Sequence, residues 1–216
     1  MANMMTQATP ENKTGRKKLV RLLLVSLMAA VMAVCAWITI PAPVPFTLQT
    51  FAVFLTLVLL GGKDGTLSIL LYLAVGATGL PVFSGFKGGV GVLAGPTGGY
   101  LFGFLVIGLL YWLVTALYKG KEENGKADKK RHAAELITLG CGLLLCYLFG
   151  TVWFLTATGG WQAENGIGSA LMLCVVPFLL PDSVKLILAY LIGKRVNRIL
   201  DKQKTGNPDP SDPPSA

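Results

Sequence analysis

Six stretches of the chain carry few charged residues and are rich in leucine, valine, alanine and glycine. They lie at residues 19–40, 47–61, 66–83, 97–118, 134–157 and 172–193. A helix needs about 20 apolar residues to span the hydrocarbon of a bilayer, so most of these stretches are long enough to cross one. The second and third are shorter, and only the charged turn Gly62-Lys63-Asp64-Gly65 separates them, which predicts a helical hairpin. The pattern predicts an all-α integral membrane protein with six transmembrane helices between residues 19 and 200.

Polar tails flank this region, and the composition agrees with a membrane protein. Residues 1–18 are predicted to form a cytoplasmic N-terminal tail, and residues 201–216 are predicted to form a flexible cytoplasmic C-terminal tail. Hydrophobic residues make up 53% of the chain and charged residues 14%, whereas typical soluble domains carry about 25% charged residues. The net charge of +8 lies in blocks at the predicted membrane edges, not along one face, so we do not expect a nucleic-acid partner.

The basic residues predict the orientation of the helices. Of the 19 lysines and arginines, all but Lys87 and Lys185 lie in the two tails, their flanks and the second and fourth connections. Basic loops of membrane proteins stay in the cytoplasm, so both termini are predicted to be cytoplasmic. The first, third and fifth connections then lie outside. Trp161, in the fifth, fits either an interface anchor or a cover for a pocket.

Asp182 and Lys185 place a carboxylate and an ammonium three positions apart in the last apolar stretch. Charged groups are costly in hydrocarbon, and an intramembrane pair on one helix face is a candidate functional site. Pro181 suits the first turn of a helix, whose free amides would help to accommodate Asp182 as an anion. The pair predicts an outward-facing ligand pocket beneath the outer connections. The alternative is an ion pair that satisfies itself and only braces the bundle.

Two motifs near the outer face add candidate polar contacts. Thr47, Gln49 and Thr50 could face a polar ligand or serve as ordinary capping and interface residues. In the run Gly95-Pro96-Thr97-Gly98-Gly99-Tyr100-Leu101, Gly98, Gly99 and Tyr100 are candidate ligand contacts. Gly98 and Gly99 remove side chains where a ligand or a neighbouring helix must come close.

Ala29 and Ala33, four positions apart on the first helix, form a small-residue face that predicts close contact with another helix, within the chain or in a partner. The sequence offers no nucleophile with a nearby base, no metal-ligand spacing and no nucleotide-binding loop, so we do not expect an enzyme. Any transport driven by ATP would require partner proteins.

Several ordered motifs between Ile38 and Leu188 resemble the BioY family, the biotin-binding S components of energy-coupling factor (ECF) transporters. The motifs are Ile40-Pro41-Ala42-Pro43-Val44-Pro45-Phe46-Thr47-Leu48-Gln49-Thr50, Gly76-Ala77-Thr78-Gly79-Leu80-Pro81-Val82-Phe83, the glycine-rich run through Tyr100, and Asp182 with Lys185. The resemblance implies a six-helix membrane fold in a bacterial or archaeal cell membrane, with a biotin site near the outer face. It also implies two kinds of partner, a transmembrane coupling protein and a pair of ATPase subunits, docked on a small-residue face such as Ala29 and Ala33. No cofactor is expected.

The chemistry of biotin suits the candidate residues. Its bicyclic head has two ureido N–H donors and a carbonyl acceptor, and its valerate tail ends in a carboxylate. Asp182 can accept from an N–H, whereas Lys185 can either donate to the ureido carbonyl or pair with the carboxylate. Two alternatives remain at this stage: an S component for another vitamin, and a membrane scaffold protein without a small ligand.

Overall fold

The computed structural model describes residues 10–42, 44–118, 127–160 and 166–206, and these are almost entirely helical. In chain order the elements are α1 (Pro10–Trp37), β1 (Thr39–Ile40), β2 (Phe46–Thr47), α2 (Gln49–Ala77), a 3₁₀ turn (Ser84–Phe86), α3 (Val90–Ala94), α4 (Gly98–Tyr118), α5 (Ala127–Thr158), α6 (Gly166–Cys174) and α7 (Val176–Gly206). Five described segments are long and apolar enough to cross a membrane: Gly15–Trp37, Gln49–Ala77, Gly98–Tyr118, Lys130–Thr158 and Gly166–Gln203. The chain is therefore a multi-pass helical membrane protein.

The helix α2 folds back on itself at Gly61. This residue has φ 77° and ψ 174°, a conformation that interrupts the helix and that glycine adopts without steric cost. The side chains of Gln49 and Tyr72, 23 residues apart, form a hydrogen bond of 2.9 Å, which a straight helix of this length would prevent. The two arms of α2 therefore pack against each other, as predicted for the hairpin. The second arm ends at Ala77 instead of residue 83, because Gly79 (φ 100°) and Pro81 follow.

The helix α1 packs on the second arm of α2. Ser68 Oγ donates to the carbonyl of Val25 at 2.8 Å, and Arg21 Nε donates to Asp64 Oδ1 at 2.7 Å. Ala29 and Ala33, further along α1, are buried in the hydrophobic core, with 8% and 6% of their surface exposed. In this structure the two small side chains serve packing within the chain, and their role in docking a partner stays a prediction.

Both terminal helices extend into the segments predicted as tails. The helix α1 begins at Pro10, so it includes the last nine residues of the predicted tail 1–18, and α7 continues to Gly206. The basic residues of these segments lie on helical extensions of the first and last spans.

The last apolar stretch contains two helices and a proline in an unexpected position. The helices α6 and α7 meet at Val175, whose carbonyl accepts from the amides of both Phe178 and Leu179. Pro181 lies inside α7, not at its first turn. The prediction that free N-terminal amides stabilise Asp182 is therefore wrong, because Pro177 occupies the first turn and the side chains described below partner Asp182 instead.

Candidate functional site

A cavity of about 260 Å³ opens between the first and third connections and the helices α2, α4, α5, α6 and α7. Two short backbone pairings shape its rim. The strands β1 and β2 pair Thr39 with Thr47 and Ile40 with Phe46, and Phe83 forms an isolated antiparallel bridge with Lys87. The sequence predicted that three connections lie above the Asp182–Lys185 pair, and residues of the first and third line the cavity together with this pair. Trp161 and the other residues of 161–165, in the fifth connection, lie outside the described residues.

Asp182 and Lys185 form a buried ion pair in the wall of this cavity. The distance from Lys185 Nζ to Asp182 Oδ1 is 2.8 Å, and the two residues are 7% and 2% exposed. Thr50 Oγ1 donates to Asp182 Oδ1 at 2.9 Å, and Tyr147 Oη donates to Asp182 Oδ2 at 2.8 Å. A carboxylate offers about four acceptor positions, so these three bonds leave room for one further donor.

Lys185 is held by backbone and aromatic groups at the start of α2. Its Nζ donates to the carbonyl of Thr47 at 2.6 Å and lies 4.0 Å from the centroid of the Phe46 ring. Such a cation–π contact stabilises a desolvated ammonium. Phe46 also stacks on Phe178 of α7, with 5.8 Å between the ring centroids. The turn between β2 and α2 therefore positions the ammonium.

Gln49 also lines the cavity, and its amide is already engaged. Gln49 Nε2 donates to Tyr72 Oη at 2.9 Å, and Tyr72 Oη donates to the carbonyl of Val82 at 3.1 Å. Amide oxygens accept two hydrogen bonds, and Gln49 Oε1 has no donor among the described groups. This chain of bonds ties the first arm of α2 to the third connection, which forms part of the rim.

The three predicted residues of the glycine-rich run differ in whether they line the cavity. Tyr100 lines the cavity, and its hydroxyl lies 3.0 Å from Thr151 Oγ1. Gly98 and Gly99 do not line it. A Cβ on Gly98 would lie 1.8 Å from the carbonyl oxygen of Leu93, and one on Gly99 would lie 2.3 Å from Trp153 Cβ. These distances favour close packing over ligand contact as the role of the two glycines, because neighbouring protein atoms occupy the space that a side chain would need.

Sequence reasoning missed three residues of the site: Tyr147 and Lys87, which line the cavity, and Phe46, which contacts Lys185. Tyr147 lies in an unbroken apolar run of α5, where nothing marks its hydroxyl as a partner of Asp182, and Phe46 lies in a motif whose threonines drew attention. Lys87 did carry a signal, since it is the one basic residue in the odd-numbered connections of the predicted topology. It is exposed, lines the cavity, and its ammonium has no ion-pair partner among the described residues.

The arrangement suits binding more than catalysis. Mostly apolar walls surround one buried cluster of carboxylate, ammonium and hydroxyl groups, which is the usual composition of a small-molecule site. No group of three or more His, Cys, Asp or Glu residues that could hold a metal occurs in the part of the chain that the structure describes. Fold and site together define a helical membrane protein whose bundle contains a cavity suited to a small polar molecule.

Comparison with known proteins gives the family. The BioY family model matches residues 5–202. The biotin transporter BioY of Thermotoga maritima is 42% identical over 185 residues, which cover 83% of this chain and 96% of the relative. The probable biotin transporter BioY of Pyrococcus horikoshii is 38% identical over 174 residues, covering 80% and 93%. The chain belongs to the BioY family.

A crystal structure of the S-component for biotin from an ECF-type ABC transporter has the same fold. It superposes with a TM-score of 0.70 at 26% sequence identity, covering 89% of this chain and 95% of the solved one.

Proposed function

We propose that this chain binds biotin in the cavity and carries it across a bacterial or archaeal cell membrane as the substrate-binding component of an ECF-type transporter. The names of its relatives support this function, as does the superposition on an S-component for biotin. As such a component it is a transporter subunit and not an enzyme. The observation that carries the proposal is the buried cluster of Asp182, Lys185 and Tyr147 in the cavity wall, which supplies both donors and acceptors to a ureido head.

The position of Asp182 indicates the orientation in which biotin binds, with either its ureido head or its carboxylate at the buried end of the cavity. A valerate carboxylate placed beside Asp182 would bring two anions together in a poorly solvated site, and this disfavours the charged form of either group. The ureido N–H groups can instead donate to Asp182 Oδ2. The head of biotin then lies at the buried end, and its carboxylate points toward Lys87 at the exposed rim.

Calorimetric titration of the purified chain tests this function. Biotin is expected to bind and to raise the thermal stability, because a ligand that binds the folded state alone stabilises it. Thiamine and riboflavin serve as controls. Binding of another vitamin in place of biotin would favour an S component of different specificity. A protein that responds to none of them would fit the scaffold alternative.

We further infer six membrane spans with both termini cytoplasmic. The fold-back at Gly61 supports counting α2 as two short spans. The orientation rests on the basic residues of the two tails and of the second and fourth connections. Of those that the structure describes, Arg21, Lys63, Arg131 and Lys194 lie at the end of the bundle opposite the cavity. A test replaces the four native cysteines by alanine and introduces a single cysteine at Val90 or Lys17. An impermeant thiol reagent applied to intact cells should label the first position and not the second, and the reverse result would overturn the orientation.

An ECF coupling protein and two ATPase subunits are the partners that this function requires. Burial of Ala29 and Ala33 moves the candidate docking face to the neighbouring side of α1. There, Ser26 and Ala30 are exposed and lie four positions apart, followed by Val34 at 49% exposure. Ser26 Oγ donates to the carbonyl of Leu22 at 3.0 Å, so the side chain brings no unsatisfied polar group to a helix–helix contact.

A further inference from the structure

A second cavity, of about 580 Å³, lies at the other end of the bundle and shares no residue with the first. Five parts of the fold enclose it: the N-terminal half of α1, the turn of α2 around Gly61, the end of α4, the start of α5 and the end of α7. Its charged lining residues are Arg21, Lys63, Asp64, Arg131, Glu135 and Lys194. The proposed biotin site makes no use of any of them.

The two carboxylates of this cavity are already neutralised by neighbouring cations. Asp64 Oδ1 accepts from Arg21 Nε at 2.7 Å. Glu135 is buried, and its two oxygens lie 2.6 Å from Lys194 Nζ and 3.2 Å from Arg131 Nε. Glu135 therefore clamps α5 to α7 at this end, and its charge is not available to repel a bound anion.

The cations outnumber the carboxylates by two, and Lys63 accounts for part of this excess. It is exposed at the turn of α2, and across the described ranges its ammonium forms neither a salt bridge nor a hydrogen bond with the protein. A concave site with an excess of positive charge raises the local concentration of anions. The charge thus favours an anionic occupant.

The surface of α4 beside the cavity indicates what this occupant is attached to. Trp112 lines the cavity and is 40% exposed, and Leu109 and Leu113, on the same helix face, are 48% and 59% exposed. Residues three and four positions apart lie on one side of a helix, so an apolar strip runs from the charged cavity toward the bilayer centre. Tryptophan is enriched at the level of the lipid headgroups.

We propose that this cavity binds the phosphate headgroup of an anionic glycerophospholipid, whose acyl chains lie along Leu109 and Leu113 of α4. The ammonium of Lys63 contacts the phosphate, and the cations around Glu135 complete the electrostatic attraction. Basic pockets between transmembrane helices are a recognised form of anionic-lipid site. A lipid held here would contact α1, α2, α4, α5 and α7 together and would brace the end of the bundle remote from the biotin cavity.

Native mass spectrometry of the full chain in detergent, titrated with defined lipids, tests the proposal. The probes are phosphatidylglycerol, phosphatidylcholine of the same acyl length, and inorganic phosphate. Phosphatidylglycerol is expected to bind in preference to phosphatidylcholine. Lys63→Gln should weaken its binding about fivefold, the effect of one lysine near an anionic headgroup. Lys17→Gln removes one exposed charge from α1 outside the cavity and should leave binding unchanged.

Each alternative result would overturn the proposal. Equal binding of the two lipids, or equal weakening by Lys63→Gln and Lys17→Gln, would indicate attraction by general surface charge. Binding of inorganic phosphate as strong as that of phosphatidylglycerol, and equally sensitive to Lys63→Gln, would identify a free anion as the occupant. Circular dichroism of both variants confirms that each compared protein is folded. The test does not involve biotin, so its outcome is independent of the transport function.

Discussion

The hydroxyl of Tyr147 donates to Asp182 Oδ2 at 2.8 Å, joining α5 to α7 inside the membrane span. Thr50 and Lys185 bind the other carboxylate oxygen, so donors from three elements converge on one anion. A buried charge with this number of partners is positioned before any ligand arrives. The cavity wall therefore presents a fixed carboxylate to an incoming N–H group.

Tyr147→Phe is expected to weaken biotin binding about tenfold. The substitution removes the hydroxyl that positions Asp182 Oδ2 for a ligand N–H group and leaves the aromatic packing in place. A tenfold loss of affinity corresponds to about 1.4 kcal/mol. Isothermal titration of the folded variant measures the change. Tyr111→Phe, a buried tyrosine of α4 that lines only the second cavity, is the matched control and should bind biotin like the unmodified protein. Equal affinity of both variants would exclude the Tyr147 hydroxyl from the site.

A double-mutant cycle on Asp182 and Lys185 separates ligand binding from bracing. Each single variant, Asp182→Asn or Lys185→Met, leaves the other residue buried without its ion-pair partner. The free energy of unfolding should therefore fall by about 3–5 kcal/mol. The double variant has no stranded charge and should recover much of this loss. Biotin titration of the double variant then decides, because loss of binding in a stable protein supports a ligand site. Binding like the unmodified protein would mean that the pair only braces α7.

Lys87→Gln tests the proposed orientation of bound biotin, in which the carboxylate lies near Lys87. An exposed charge pair contributes at most about 1 kcal/mol, so the affinity for biotin should fall by no more than about fivefold. Biotinamide has a neutral tail, and its affinity should be the same for both proteins. Titration of both ligands into both proteins yields the coupling between Lys87 and the carboxylate. A fall of equal size for the two ligands would contradict the proposed orientation.

Ala30→Trp should prevent co-purification with an ECF coupling protein, because a bulky side chain holds the two helices apart. Leu145→Trp, on the lipid-exposed side of α5, is the control and should co-purify normally. Biotin binding should be unaffected in both. Normal recovery of the coupling protein with Ala30→Trp would place the docking surface elsewhere.

Gly99→Ala tests whether this glycine serves packing or ligand contact. The added Cβ would lie 2.3 Å from Trp153 Cβ, so α4 and α5 must separate and the melting temperature should fall. Gly91→Ala in α3 is the control, because its Cβ meets nothing within 4 Å. We expect the folded fraction of Gly99→Ala to bind biotin with nearly unchanged affinity. A large loss of affinity at an unchanged melting temperature would instead indicate direct contact with the ligand.

The sequence predicted those features that follow from local chemistry. Asp182 and Lys185 stood out because charge is rare inside an apolar stretch, and the fold-back of α2 followed from a charged turn between glycines. The burial of Ala29 and Ala33 could not be predicted, because small residues favour a close contact without specifying whether the neighbour belongs to the same chain. Tyr147 was missed for a related reason, since tyrosines are ordinary in membrane helices and its partner lies 35 residues away. Pro181 was misplaced because Pro177 offers the same helix-start signal four residues earlier.

The fold-back at Gly61 gives one side of the protein a shorter hydrophobic span than the others. At about 1.5 Å per residue, the arms of α2, residues 49–60 and 62–77, rise only about 18 Å and 24 Å. The hydrocarbon of a typical bilayer is about 30 Å thick. Leu67 and Leu70 are partly exposed on the second arm, so acyl chains beside them must shorten or tilt. Thick bilayers are therefore expected to strain this edge of the molecule, and lipids with short acyl chains are expected to relieve the strain.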